Sequence, residues 1–240
     1  SIDAGPYGGY NSEGDFVPGA GGGGGGGAGS VGDTVTPSGT WTSFEGTVGS
    51  GTVPEDKFWR DIVRWCNGTR GLNLERSKII AAGVVGCSFY ESKYRTTAQN
   101  RTGGGNGAKG LFQWRGSRQK KLINRGDWTK YENQIAHFFW ENASDPHESK
   151  QWAKVESDEG SKNPQRAAAV FAIYWLRYVS NPFTFDQVVR KADVLSKDLN
   201  VGEASGSTVL RMQKAIAIYN NYRNELIPGI DYDGDRPGDP

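Results

Sequence analysis

SFYESKYRTTAQNRTGGGNGAKGLFQW, residues 88–114, is the stretch on which the reading of the whole chain turns. It places one acidic residue, Glu91, at the end of an apolar run made of Ile79, Ile80, Ala81, Ala82, Val84 and Val85. A Gly-rich loop from Gly103 to Gly107 follows, and then a second apolar turn, Gly110-Leu111-Phe112-Gln113-Trp114. A carboxyl held against an apolar wall is disfavoured as an anion, so its pKa should rise toward the range a general acid needs. Amides, hydroxyls and a Trp close by in sequence suit a site that grips a sugar. Periodicity alone, however, favours a solvated surface residue for a single Glu on a helix.

Working outward, 240 residues suit one compact domain plus extensions. A hydrophobic content of 35% and a mean hydropathy of −0.63 are low for a globular protein, yet eight Trp and ten each of Tyr and Phe argue against disorder. Position resolves the conflict, because 18 of the 35 glycines lie in residues 1–51. That segment has no Lys or Arg and contains an unbroken run from Gly21 to Gly27. Glycine loses the most backbone entropy on ordering and has no side chain to bury. Residues 1–51 therefore read as an extended Gly-rich arm or linker, flexible unless another subunit holds it. Tyr10, Trp41 and Phe44 are candidate docking points, with loose packing on the domain as the alternative. The chain begins at Ser1 rather than Met, which fits a processed product or a piece of a longer protein.

The net charge of +1 hides a split. The arm holds five acids and no base, and residues 229–240 hold four Asp and one Arg, an acidic connector. The body, 52–228, keeps 27 bases against 18 acids, or +9, which suits a polyanionic partner. Lys109, Arg115, Arg118, Lys120, Lys121 and Arg125 cluster directly after the quoted stretch. Nucleic acid would satisfy such a charge, but no nucleic-acid motif accompanies it. No stretch approaches the ~20 apolar residues of a membrane span. Cys66 and Cys87 lie among apolar neighbours and read as buried free thiols rather than a disulfide. Neither pairs at ligand spacing with His137 or His147, so no metal and no cofactor is expected. Asp231, Asp233, Gly234 and Asp235 resemble the start of a calcium loop, but the closing Glu is missing.

The elements read as mainly α. Pro54 opens a helix with Phe58, Ile62, Val63, Trp65 and Cys66 on its apolar face, and Asn67-Gly68 ends it. Asn73 caps the next, where Gly83 and Gly86 weaken the helix but allow close approach by another helix or a ligand. Gln119–Asn124 and Ser149–Val155 are short helices, and Tyr131–Ala143 is a stronger one with Gln134, Phe138 and Glu141 on one side. Pro164 opens the most apolar helix, with Ala167 to Val179 apolar nearly all round. Asp186–Leu195 and Val209–Leu226 complete the set. Strand signals are confined to Thr34–Thr36, Thr40–Phe44 and Thr47–Val48.

Glu91-Ser92, the loop, and then Gly107-Ala108-Lys109-Gly110-Leu111-Phe112-Gln113 resemble the E-S … G-A-x-G-L-x-Q signature of soluble lytic transglycosylases and goose-type lysozymes. Ala81-Ala82-Gly83-Val84-Val85-Gly86 … Glu91-Ser92 … Gly110-Leu111-Phe112-Gln113-Trp114-Arg115-Gly116-Ser117-Arg118 is closer still to the phage tail lysozyme family, over residues 55–222. The departure is near the end of the apolar helix, where the family's Glu-Arg-Pro is replaced by Leu176, Arg177 and then Asn181-Pro182. The resemblance implies a lysozyme-like helical domain with a substrate groove, over residues 52–228. It also implies a virion tail setting and an enzyme that cuts the glycan strand of bacterial peptidoglycan. Other tail proteins would then be partners through the Gly-rich arm.

By the same resemblance Glu91 is the catalytic acid and Gln113 a substrate ligand. Ser92, Trp114 and Tyr174 are further candidates for gripping the sugar. Glycosidic cleavage also needs a way to handle oxocarbenium-like charge. Glu141 is the second-carboxylate candidate, with an ion pair orienting a helix as its plainer reading. No Asp or Glu occurs between Glu91 and Asp127, which leans toward a transglycosylase-type site where the substrate's own groups complete the reaction, or toward a water held by a distant acid. The competing function is a wall-binding or structural tail protein on the same scaffold that no longer turns over.

Overall fold

The computed structural model describes residues 44–101, 107–177, 181–200, 207–230 and 232, with the backbone pairs 9–10, 16–17, 34–35 and 41–42. Its centre is α2, Leu74–Ser92, in which every residue from Ile79 to Ser88 is buried. A helix apolar on all sides must be covered on all sides. Here α1 (Glu55–Arg64), α6 (Pro164–Val170) and α8 (Thr208–Tyr222) supply the cover. Asn73 starts α2 as the sequence predicts, its Oδ1 accepting from the Arg76 N–H at 2.8 Å.

The two glycines of α2 meet helices. A Cβ on Gly83 would lie 2.7 Å from the backbone of Ala167 and Ala168 in α6, and one on Gly86 would lie 3.0 Å from the Ala215 nitrogen in α8. Helix α8 runs antiparallel to α2. Tyr219 near its end hydrogen-bonds Glu75 near the start of α2, and Arg211 near its start reaches Glu91 near the end of α2.

The remaining described helices are α3 (Gly116–Ile123), α4 (Tyr131–Ser144), α5 (Glu148–Glu156) and α7 (Phe185–Asp193). Helix α1 continues into a wider π turn, Trp65–Thr69, closed by Arg70 N–H to Trp65 O at 3.0 Å. Helix α6 does the same through Phe171–Leu176, so the apolar helix read to Val179 stops earlier. Arg177 takes a left-handed φ of 54° and its guanidinium pairs with Glu148 at 2.8 Å, which turns the chain away. Phe112, Trp65, Phe138, Phe139, Phe171 and Trp175 fill the space between α4 and this second π turn, with Phe171 and Trp175 stacked at 4.6 Å. Cys66 and Cys87 are both buried and free, and burial pushes the Cys87 thiol up to about 12.

Strands are short. β1 (Gly9–Tyr10) pairs with β2 (Phe16–Val17), and β3 (Thr34–Val35) with β4 (Trp41–Thr42). β5 (Gln99–Asn100) pairs with β6 (Ala108–Lys109) across the Gly-rich loop. Thr47–Val48, read as a strand, instead delivers its backbone to α4: Glu132 accepts from the Val48 N–H at 2.5 Å and the Gly49 N–H at 3.1 Å. The Gly51 N–H donates to Thr96 Oγ1, and the Tyr131 N–H to Gly49 O. Residues 45–51, assigned to the arm from composition, are thus tied to the body. The Gly21–Gly27 run, the loop at 102–106 and the Asp231–Asp235 motif lie outside the described residues.

No described helix is long and apolar enough to cross a membrane.

Candidate functional site

Glu91 stands one residue from the end of α2, and the chain then leaves through two successive left-handed residues, Lys93 (φ 54°) and Tyr94 (φ 62°). A clamp holds this end. Ser88 Oγ donates to Leu111 O at 2.9 Å, and Ser92 Oγ lies 3.0 Å from the same carbonyl and 3.2 Å from Ser88 O. Residues 88 and 92 share one helix face at i, i+4 spacing. The turn containing Leu111 is therefore fixed against the side of α2 next to Glu91. Its other end is fixed by α4, since the Leu111 N–H donates to Gln134 Oε1 at 2.8 Å. Gln134 Nε2 in turn donates to Thr96 O and Trp128 O, at 2.7 and 2.6 Å.

This clamp accounts for the glycines of the G-A-x-G-L-x-Q pattern. Gly107 has φ +66°, and a Cβ there would lie 2.0 Å from Asn100 O across the hairpin. Gly110 has φ +81°, and its Cβ would lie 2.6 Å from Gln134 Oε1. Side chains are excluded from both positions by conformation and by space.

The structure sorts the sequence candidates. Ser92 and Trp114 were expected to touch sugar, but both are buried. The Ser92 hydroxyl is occupied at Leu111, and the Trp114 indole N–H donates to Glu141 Oε1 at 2.5 Å. Both polar atoms point inward because the buried Leu111 carbonyl and Glu141 carboxylate have to be satisfied there. Gln113 is half-buried with φ 54°, and its Nε2 donates to Gly110 O at 3.0 Å and Ala98 O at 3.3 Å, bracing the turn. Tyr174 meets Phe185, Asn181 and Lys154, and no described contact joins it to Glu91.

Glu141 is interior, on a helix whose every residue from Tyr131 to Asn142 is buried. Besides Trp114 it meets Arg118 Nε at 2.7 Å and His137 Nε2 at 2.7 Å. Burial alone would raise its pKa, but Arg118 and His137 outweigh that and hold it below the ordinary value. His137 is pushed down by burial first, with Arg125 and Arg118 adding to it against the pull of Glu141. Arg125 Nε donates to His137 Nδ1 at 3.2 Å, so Nδ1 is the acceptor and the single proton of the neutral imidazole sits on Nε2, the nitrogen nearest Glu141. Glu141 is thus an anion that accepts from Trp114 and Arg118 with His137 beside it, and the Arg118 contact binds α3 to α4.

Sequence reading missed the partner of Glu91. Arg211 Nη2 on α8 lies 2.6 Å from Glu91 Oε1, with the two side chains only 4% and 14% exposed. The one local signal was the Arg211, Ala215, Tyr219 row, which places a small residue opposite Gly86 and so lets α8 come close. A pairing 120 residues apart leaves no spacing pattern to read.

The residues that form this arrangement, from the cap of α2 through the clamp to Arg211, lie inside a wider match to known sequences. No curated protein and no solved structure matches the chain. A family model described as phage tail lysozyme matches residues 72–221, well over half of the chain and including Glu91, the Gly110–Gln113 turn, α4 and α8 up to its last residue but one. That match points to peptidoglycan as substrate and to a phage-tail setting, and by it the chain belongs to the phage tail lysozyme family.

Proposed function

We propose that this chain cleaves the glycan strand of host peptidoglycan as part of a phage tail, with Glu91 as the acid that protonates the leaving oxygen. The observation that carries this reading is the clamp: Ser88 and Ser92, on either side of Glu91, are both fixed to the Leu111 carbonyl of the family's own turn. A proton donor has to be held in register with the bond it cleaves, and a clamp at this end of α2 supports that role for Glu91. Family membership supplies the substrate class. The Gly-rich N-terminal segment is the tether to other tail proteins, and the virion tail is where the enzyme travels.

The resting site holds Glu91 against Arg211. A guanidinium favours the carboxylate over the acid. Proton delivery then follows an exchange in which Arg211 gives up Glu91 as the glycan arrives. Glu141 is enclosed with its donors and reaches no water or sugar, so we assign it to holding Trp114 and Arg118 in place. With Glu141 in that role, the reaction follows the transglycosylase route, in which the sugar's own groups complete the cleavage and leave an anhydro product. Gln113, Ser92 and Trp114 position the turn rather than line it, and Tyr174 stands apart from this chemistry.

The second reading, a wall-binding tail protein without turnover, draws on the same Glu91–Arg211 pair taken as permanent. Digestion of purified peptidoglycan by wild type and by Glu91→Gln, with products resolved by mass spectrometry, separates the two. Wild type should release anhydro-muropeptides, and Glu91→Gln should be slower by about 10²–10⁴-fold. Equal release by both proteins would remove Glu91 from the mechanism. No release by wild type from any wall type would favour the scaffold.

A further inference from the structure

The basic residues that follow the motif separate in the fold. Arg118 turns inward to Glu141 and Glu148, and Lys109 lies over Trp128. Lys121 and Arg125 go elsewhere. Together with Asn124, Trp140, Ser144 and Asp145 they line a cleft of about 410 Å³ between α3 and the end of α4. Both cationic heads converge on one indole, Lys121 Nζ at 5.2 Å and Arg125 Cζ at 5.5 Å from the Trp140 ring centroid. The cleft also holds one carboxylate, Asp145, which accepts from the backbone N–H groups of His147 and Glu148 at 2.9 and 3.0 Å. Its other oxygen meets Lys121 at 3.0 Å. Arg125 also donates to His137 Nδ1 at 3.2 Å.

Two cations, one acid, an amide and a hydroxyl around an aromatic wall make a site with net positive charge and several donors. Such a lining suits an oxyanion carried on a body of sugar or amino-acid size. We propose that this cleft is an anion subsite that binds a carboxylate or phosphate group of the host wall and so anchors the domain on its substrate. The inference rests on the wall-cleaving reading for its choice of ligand, and it concerns binding rather than the chemistry at Glu91. Two wall components carry the required charge: the carboxylates of the peptide stems and the phosphodiesters of anionic polymers attached to the glycan.

The test is co-sedimentation of the full chain carrying Glu91→Gln, which holds the glycan uncut, with insoluble sacculi prepared three ways. The preparations are untreated, stripped of phosphate polymers, and stripped then amidated at their carboxyl groups. Adding Lys121→Gln and Arg125→Gln should weaken binding to untreated sacculi at least about tenfold, from the loss of two charge-assisted contacts. Loss of parental binding on stripping assigns the subsite to phosphate, and loss only on amidation assigns it to the stem carboxylates. Lys121→Glu, at a half-exposed side chain, serves as a second variant should the double change disturb Trp140. The proposal is overturned if the double variant and Lys121→Glu both bind untreated sacculi as tightly as the parent. It is equally overturned if the parent binds stripped, amidated sacculi undiminished. Variants that lose affinity for a duplex oligonucleotide while keeping their affinity for sacculi would reassign the cleft to nucleic acid. Because sedimentation reads binding alone, a failure of the Glu91 assignment would show in the digestion assay and leave this result standing.

Discussion

Substituting Gly83→Ala should destabilise the domain even though alanine is the better helix former. In the interior of α2 the exchange favours the helix by about 1 kcal/mol through propensity. Against that, the new Cβ would sit 2.7 Å from the Ala167 carbonyl carbon, the Ala167 Cβ and the Ala168 nitrogen. Ordinary carbon contacts begin near 3.5 Å. Two of those three atoms are backbone, so no rotamer change relieves the overlap and α6 has to move as a body. Overpacking of that kind costs on the order of 3 kcal/mol, the upper end of the usual range. The net loss is then about 2 kcal/mol, or about 4–8 °C in Tm for a domain of this size. Gly86→Ala meets its nearest atoms at 3.0–3.3 Å, so a shift of a few tenths of an ångström suffices. Propensity should nearly offset its cost, leaving Tm within a few degrees of wild type. Adding Ala167→Gly to Gly83→Ala removes one of the three clashes and should recover only part of the loss. The assay is thermal unfolding followed by helical circular dichroism on all four proteins. A Gly83→Ala protein that melts at or above wild type, or below which Gly86→Ala falls, would refute the close crossing of α2 and α6.

Three further outcomes follow from the buried charges. Glu141→Leu leaves Arg118 enclosed without its main anion and should cost about 3–5 kcal/mol in urea unfolding; a loss under 1 kcal/mol would mean the network is not a structural tie. Stability should fall on acidification in two stages. His137 and Glu141 both have folded pKa values below their ordinary 6.5 and 4.5, so the unfolded chain takes up protons first as pH drops through each ordinary value. Both contributions are present above about pH 6.5, the first fades below it and the second below about 4.5; unfolding free energies at pH 8, 5.5 and 4 measure this, and His137→Gln should remove the upper stage and, because His137 also helps hold Glu141 low, shrink the lower one. Finally, Arg211→Gln removes the cation that holds Glu91 at 2.6 Å, so wall digestion by this variant should fall at least about tenfold. Digestion at the wild-type rate would separate Arg211 from the acid's chemistry.

Much of the helical framework was legible because its determinants are local. Asn73 caps α2 through a contact three residues long, Pro54 and Pro164 stand at helix starts, and apolar spacing located α4, α6 and α8. Gly83 and Gly86 signalled a close approach, although only the fold showed that the approaching partners are helices rather than ligand. The position of Glu91 at the end of α2, with the Gly110–Gln113 turn after it, was also present in the residue order. Other features had no local signature. β5 and β6 are two residues each, too short for an alternating pattern, and 45–51 dock through backbone groups that any residue carries.

What the sequence by itself determined is the helical class, the central helix with its two glycines, and the placing of one acid beside the family's turn. These depend on contacts between residues a few positions apart, and spacing encodes them. Tertiary structure alone decided that Glu91 faces Arg211, that Glu141 is enclosed by Trp114, Arg118 and His137, and that the Ser92 hydroxyl and the Trp114 N–H turn inward. A carboxylate or a hydroxyl looks the same in a sequence whether water or a buried donor satisfies it. The choice is made only when distant helices close around it, because desolvation then obliges each polar group to find a partner inside.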